Sequence, residues 1–196
     1  MLQYSTTHRT NAMTDIVTQA GSTPFILLYT GTPPANAATA ATGTLLASLP
    51  CSATFGTVTN GVLTANAITS ASAAASGTAG YYRLCTSSAG TTVVAQGNVY
   101  TTTTATTSAA TTAAPTLTFA SAPSVVNGQT VTGTGIPAGT YVLFGGGTTT
   151  LTLNNDVTVS SSATITFGGD ISFNSAAFST GQTVSVTSFS ITANGA

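Results

Sequence analysis

The chain has 196 residues, 42% hydrophobic but only 3% charged: two Arg, three Asp, one His, no Lys and no Glu, with a net charge of −1. That balance excludes a nucleic-acid binder that neutralises phosphates with clustered Lys and Arg, a disordered polyelectrolyte and a charged coiled coil. The longest apolar run, residues 25–29, is far shorter than the roughly 20 residues of a membrane-spanning helix, so no membrane span is expected.

In chain order, residues 4–21 predict the one helix. Ala12, Met13, Ile16, Val17 and Ala20 recur at spacings of three and four, which makes a single apolar stripe. Ser5, Thr6 or Thr7 suits the N-cap and Gly21 the stop. Arg9 sits near the positive end of the helix dipole, so pairing with Asp15, a neighbouring contact or solvation is expected of it. Residues 1–9 hold no apolar segment of the kind a secretory signal needs. From residue 24 the pattern is β. Strands are expected at 24–30, 44–49, 62–68, 80–87 and 91–103, with a hairpin turn at Ser88-Ala-Gly90. In the fourth, Tyr82 and Leu84 share one face and Tyr81, Arg83 and Cys85 the other.

Residues 101–114 are low-complexity Thr, Ala and Ser, read as a linker or edge segment. Short strands follow at 116–120, 124–126, 129–132, 140–144, 148–153, 157–160 and 163–167. They are separated by turns at 133–139, Gly145-Gly-Gly147 and Asn154-Asn-Asp156. The last strands are expected at 170–174 and 183–192. The latter alternates Val184, Val186 and Ser188 against Thr183, Ser185, Thr187 and Phe189. The whole reads as a mainly β chain: an antiparallel β-sandwich of residues 1–103 plus 169–196 with one N-terminal helix, and a small inserted all-β module at 104–168.

The groups that carry chemistry are few enough to weigh singly. His8 is the only histidine, so a nucleophilic triad has one possible base, and no Gly-x-Ser-x-Gly elbow occurs. A two-carboxylate site would need two of Asp15, Asp156 and Asp170. Asp15 falls on the helix, and the other two fall in Asn/Gly-rich turns where Asp bonds locally. Asn154, Asn155 and Asp156 offer one charge, too little for calcium. Gly145-Gly-Gly147 lacks the Lys and the helix of a phosphate loop. Cys51 and Cys85 fit no metal spacing; two reduced, half-buried thiols are expected, with a single bridge as the alternative. The Thr-x-Thr pairs at 116/118, 132/134, 148/150 and 164/166 recur about every 16 residues. The residues between them do not repeat, so a threonine ladder is not expected. No catalytic, metal or cofactor site is expected, and the chain reads as no enzyme.

The missing charges carry a positive implication. Soluble monomers hold themselves apart by surface charge, and sheet edges are usually guarded by Lys or Pro. This surface suits a permanent assembly with apolar and neutral hydrogen-bonded contacts, weakly sensitive to salt.

The ends of the chain resemble a family. Leu2-Gln-Tyr-Ser-Thr6, Arg9-Thr-Asn-Ala12 and Asp15-Ile16 are similar to the start of small virion structural proteins of tailed bacteriophages. Further matches are Thr30-Gly-Thr-Pro-Pro-Ala-Asn36, Gly77-Thr-Ala-Gly80 with Tyr82-Arg83, Gln96-Gly97, Phe178-Ser-Thr-Gly-Gln182 and Phe189-Ser-Ile-Thr-Ala-Asn-Gly-Ala196. The resemblance covers roughly residues 1–103 and 169–196 and departs between 104 and 168, where residues 126–140 resemble β-rich modules of phage and bacterial surface proteins. It implies a short helix followed by a β-sandwich, and a place in the virion after assembly in the host cytoplasm. A capsid decoration or cement role is the expectation, with the major capsid protein or other virion proteins as partners, and a homo-oligomer, a trimer by analogy with local three-fold positions. No nucleic-acid or membrane partner is expected. The alternative is a tail or fibre component that recognises a host glycan through an aromatic platform at Tyr81, Tyr82, Tyr100 or Tyr141.

Overall fold

In the computed structural model, which describes residues 4–193, the first element is a helix, α1 (Thr6–Ala20). Ser5 is its N-cap, and the Ser5 side chain accepts the His8 N–H at 3.2 Å. Gly21, at φ 73°, ends it in a backbone region that glycine enters without strain. The packed face carries Arg9, Thr10, Met13, Ile16, Val17 and Ala20, whereas Ala12, expected within the stripe, is exposed. The helix is rolled toward Thr10 because the Gly61 N–H donates to Thr10 Oγ1 at 3.1 Å. The same contact brings Arg9 Cβ so close to Gly61 that a side chain at position 61 has no room.

Seventeen strands follow in the described residues. They are β1 (Phe25–Thr30), β2 (Leu45–Pro50), β3 (Gly56–Thr59), β4 (Val62–Ala65), β5 (Ala71–Ser72), β6 (Gly77–Cys85), β7 (Val93–Asn98), β8 (Thr103–Thr106) and β9 (Thr111–Thr118). After these come β10 (Thr130–Thr132), β11 (Val142–Phe144), β12 (Thr150–Val159), β13 (Thr164–Gly168), β14 (Ile171–Phe173), β15 (Ala177–Phe178), β16 (Thr183–Val184) and β17 (Val186–Thr192). The chain is mainly β, 47% strand and 8% helix, with antiparallel sheets. It divides into two compact units. Of the described residues, one unit is made of 4–100 together with 170–193, and the other is Thr101–Gly169.

In the first unit, one sheet runs β15-β6-β1-β2 with β7 also on β6, and a second runs β14-β17-β4-β3. Ile26, Leu28, Leu46, Leu49, Tyr82 and Leu84 from the first sheet meet Leu63, Ile171 and Phe189 from the second in one core. Two sheets closed over a shared apolar layer form a sandwich. Met13, Ile16 and Val17 of α1 pack against the same core. The run Phe25–Thr30 does not alternate because both faces of β1 are covered. Its outer face, with Leu27 opposite Arg83 and Tyr29 opposite Tyr81, lies under the segment 31–44. Tyr81 donates its hydroxyl to the Thr42 carbonyl, Arg83 Nη2 donates to the Thr39 carbonyl at 2.7 Å and Gln96 Nε2 to the Pro34 carbonyl at 2.6 Å.

Besides Ala12 and the short strands β5 and β15, which the sequence reading does not include, two larger features of this unit depart from it. Strand β3 was not expected, although the pair it forms with β4 turns at Asn60-Gly61, both at positive φ (52° and 80°), the residues that a two-residue hairpin turn favours. Residues 183–192 are not one strand. They break at Ser185 into β16 and β17, and the β14–β17 register slips between Ser172 and Phe173. A one-residue slip exchanges the faces, so Phe189, expected on the polar face, is buried.

The second unit pairs a β10-β13-β8 sheet with a β11-β12-β9 sheet. Val131, Ile165 and Phe167 of the one face Leu117, Val142, Leu151 and Leu153 of the other in a single core. The low-complexity segment supplies β8 and the start of β9, each at the edge of its sheet. Residues 124–126 are not a strand; Val125 is buried within a turn. Asn154-Asn-Asp156 is not a turn either. It lies inside the ten-residue β12, at a register irregularity between Thr152 and Val157. Asn154 Oδ1 accepts the Tyr141 N–H at 2.7 Å, and Asn155 Nδ2 donates to Thr140 Oγ1 at 3.1 Å. These side chains satisfy the neighbouring segment where the ladder is interrupted.

Candidate functional site

The charged groups do not assemble into a reactive constellation among the described residues. His8 is exposed on α1, its ring stacked on Tyr4 with centroids 4.7 Å apart. Asp15 does not pair with Arg9; it accepts Gln19 Nε2 at 2.5 Å, and Arg9 Nη2 reaches Thr6 Oγ1 at 3.4 Å. Asp156 is exposed on β12. No group of three His, Cys, Asp or Glu side chains able to hold a metal ion occurs among the described residues. No helix among them is long and apolar enough to cross a membrane. The Thr-x-Thr pairs lie on no common face: Thr116 and Thr118 face Thr152 and Thr150 across β9 and β12, while Thr148 closes a turn onto the Gly145 carbonyl at 2.8 Å.

Cys51 and Cys85 are free thiols. Burial pushes Cys51 up to about 12 and Cys85 up to about 11, the latter against the pull of Arg83. A thiol that ionises so reluctantly is a poor nucleophile, and both read as packing groups.

Asp170 is where local reasoning fails. Its carboxylate is not spent on its own turn. Oδ2 accepts the Tyr82 hydroxyl at 3.3 Å across 88 positions of sequence, and its carbonyl accepts the Ser190 N–H at 2.8 Å. Burial raises the Asp170 pKa, partly offset by the Tyr82 hydrogen bond, and both burial and the nearby carboxylate push the Tyr82 phenol well up. A carboxyl whose pKa is raised by folding destabilises the folded state when ionised. Its contribution is most favourable below the ordinary value of about 4 and declines as pH rises through the raised folded value. Asp170→Asn keeps an acceptor for Tyr82 and removes the charge. It should match or exceed the parent in stability at pH 7, and that advantage should vanish on acidification toward pH 4. Urea midpoints across that range test this; a variant clearly less stable at pH 7 refutes it.

The tyrosines do not form a platform. Tyr81 and Tyr82 are buried at 0% and 1% exposure, Tyr81 stacked on Tyr29 at 5.1 Å and Tyr82 edge-on to Phe189 at 5.3 Å. Tyr100 and Tyr141 are half-buried and belong to different units.

What the molecule exposes instead is an apolar tip on the second unit. Phe144 is 61% exposed, Val126 54% and Leu143 37%. Two turns bring them together. The Gly128 N–H donates to the Val142 carbonyl and the Val142 N–H to the Gln129 carbonyl, at 2.8 and 2.9 Å. The Gly146 N–H donates to Asn127 Oδ1 at 2.9 Å, and a Cβ on Gly146 would meet Val126 Cα at 2.8 Å. Gln129 Oε1 accepts the Val126 N–H at 2.7 Å and fixes the turn from beneath. The only sequence signal was the large apolar pair Leu143-Phe144 directly before three glycines, where no following strand residue can cover it. Comparison with protein-family models, curated proteins and solved structures returned no match.

Proposed function

We propose that the chain is a non-enzymatic structural protein of a tailed-bacteriophage particle, a capsid decoration or cement protein. In this reading it stabilises the shell through apolar and neutral hydrogen-bonded contacts with the major capsid protein or another virion protein. The observation that carries it is the Val126–Leu143–Phe144 tip on a molecule with almost no charge. Clustered exposed apolar side chains mark contact surfaces, and a chain without Lys has little else to keep it apart from its neighbours. The resemblance of both chain ends to small virion proteins supplies the particle. Association into a homo-oligomer, a trimer at local three-fold positions, belongs to the same reading.

Burying the three side chains on a partner is worth roughly 1–2 kcal/mol each, since part of their surface is already covered. Placing Asp at both Val126 and Phe144 should therefore lower the copies bound per particle at least tenfold, measured by quantitative mass spectrometry of purified particles. Raising salt from about 0.1 M to about 1 M should leave parent occupancy unchanged, because no ion pair is being screened. Cryo-EM reconstruction of the same particles should place the chain on the shell. Density confined to the tail or fibres, or unchanged occupancy of the double variant, defeats the cement assignment.

A further inference from the structure

Residues 31–44 lie over the outer face of β1 and β6 without entering the core. None of them is buried, and none joins the apolar cluster beneath. Their ends meet: the Thr30 N–H donates to the Thr44 carbonyl at 3.0 Å, and the Thr44 N–H to Thr30 Oγ1 at 2.9 Å. A surface segment of this length with joined ends is an Ω-loop. Beyond that joint, its hydrogen bonds to the sheet among the described residues all come from three side chains. Tyr81, on β6, donates its hydroxyl to the Thr42 carbonyl and accepts the Thr42 N–H at 2.9 Å. Arg83 Nη2 reaches the Thr39 carbonyl, and Gln96 Nε2, on β7, the Pro34 carbonyl.

The face beneath is poorly satisfied. Leu27 stands opposite both Ser48 and Arg83, and Arg83 stands opposite Gln96, so four strands contribute one row of side chains to this face. On that row Ser48 Oγ, Arg83 Nε and Gln96 Oε1 are each buried without a hydrogen-bond partner. Lifting the segment returns all three to water, and its own broken bonds are replaced by bonds to water, so the polar groups lose little. The cost is the exposure of Leu27 and Tyr81, far less than opening the core. The segment is also built to move in one piece. Gly31 and Gly43 bound it at φ 79° and 76°, where glycine turns freely. Pro33 and Pro34 stiffen it, and Thr42 Oγ1 donates to the Thr32 carbonyl at 2.9 Å across its neck.

We infer that residues 31–44 are a hinged strap that lifts from the sheet as a unit, pivoting at Gly31 and Gly43 while the sandwich stays folded. Segments with few buried apolar contacts open well below the free energy of global unfolding, and lids of this kind pivot at a few residues that absorb the backbone change. Closed, the strap conceals Leu27, the stacked Tyr29–Tyr81 pair and the Arg83 guanidinium. Lifted, it turns one of the two arginines of the chain outward beside two phenol rings. The strap thus sets whether this face is neutral or cationic. The inference rests on this face of the first unit alone and holds whether or not the chain belongs to a phage particle.

The test is native-state hydrogen exchange on the full-length ¹⁵N-labelled chain. Its reporters are the Thr42 N–H, the Arg83 Nε–H and the Gln96 side-chain N–H, which are far apart in sequence and all covered or bonded by the strap. All three are expected to share one protection factor, at least a hundredfold below that of the Ile26 and Leu84 amides. Tyr81→Phe removes the bonds to Thr42 and should lower protection at Arg83 and Gln96 at least fivefold relative to Ile26 and Leu84. Gly43→Ala places a Cβ against the Thr30 carbonyl. The strap should then stay lifted, with the three reporters unprotected and the sheet amides still protected. Three unequal protection factors in the parent overturn the inference, because the segment then frays piecemeal. So does exchange of all three only together with Ile26 and Leu84, which makes the segment part of the global fold. A Tyr81→Phe effect that stops at Thr42, or a Gly43→Ala variant that keeps parent protection at the strap or loses it throughout the sheet, overturns it as well.

Discussion

Phe189→Ala is expected to cost about 3–5 kcal/mol, the range for removing a buried aromatic side chain. Phe189 is 4% exposed and stands where the two sheets of the first unit meet. Its ring lies edge-on to Phe55 at 5.3 Å and 78°, and edge-on to Tyr82 at 5.3 Å and 79°. Such pairs add about 0.5–1.5 kcal/mol each beyond buried area. The loss therefore combines transfer, cavity and two ring contacts, and β17 is tied to β14 and β4 on either side, which limits collapse. The measurement is the urea midpoint of the parent and variant. Phe144→Ala, at an exposed Phe, serves as the comparison and should stay within about 0.5 kcal/mol of the parent. A loss below about 1.5 kcal/mol for Phe189→Ala would mean that the site closes over the missing ring.

Arg83→Met is expected to act in the opposite direction and stabilise the first unit by about 1–3 kcal/mol. Arg83 is 2% exposed on the outer face of β6, under the segment 31–44. Its Nη2 has one hydrogen bond, to the Thr39 carbonyl, while Nε is buried with no partner. Directly across the ladder lies Gln96, whose Oε1 is also buried and unpartnered. No carboxylate is within ion-pairing reach among the described residues: Asp15 is engaged by Gln19 and Asp170 by Tyr82. A cation taken out of water without a counter-charge carries its desolvation cost uncompensated, and an apolar replacement of similar volume is then often stabilising by about 1–4 kcal/mol. The variant should also free the Thr39 carbonyl, so amides of residues 37–40 should exchange faster even as the denaturation midpoint rises. A variant destabilised by more than about 1 kcal/mol would show that the guanidinium is favourably held.

The Arg83 argument also marks how far the sequence could be read. That Tyr81, Arg83 and Cys85 share a face follows from the period of two and holds in β6. That this face is covered follows only from the path of residues 31–44, whose Gly, Pro and Ala content gave a loop and no destination. The same division appears at the second unit. Its glycine turns and short strands are readable, and the three glycines after Leu143-Phe144 hint that the pair is left uncovered, but nothing local places Val126 beside Phe144. Asn154 and Asn155 were assigned to a turn by composition; the structure uses their amides to bridge an interrupted ladder to residues 139–141.

What the sequence by itself determined is therefore local. The Ser5 cap and Gly21 stop bound α1, β-forming runs between turn residues mark most strands, and the near-absence of charge dictates a neutral surface. These depend on hydrogen bonds and side-chain periods a few residues long. The tertiary structure alone decided which face of β17 is buried, where Asp170 finds its partner, and that two tyrosines offered as a platform lie in the interior. Each of these depends on a register or a contact between segments far apart in the chain. A slip of one residue exchanges the faces, so no local pattern can specify it.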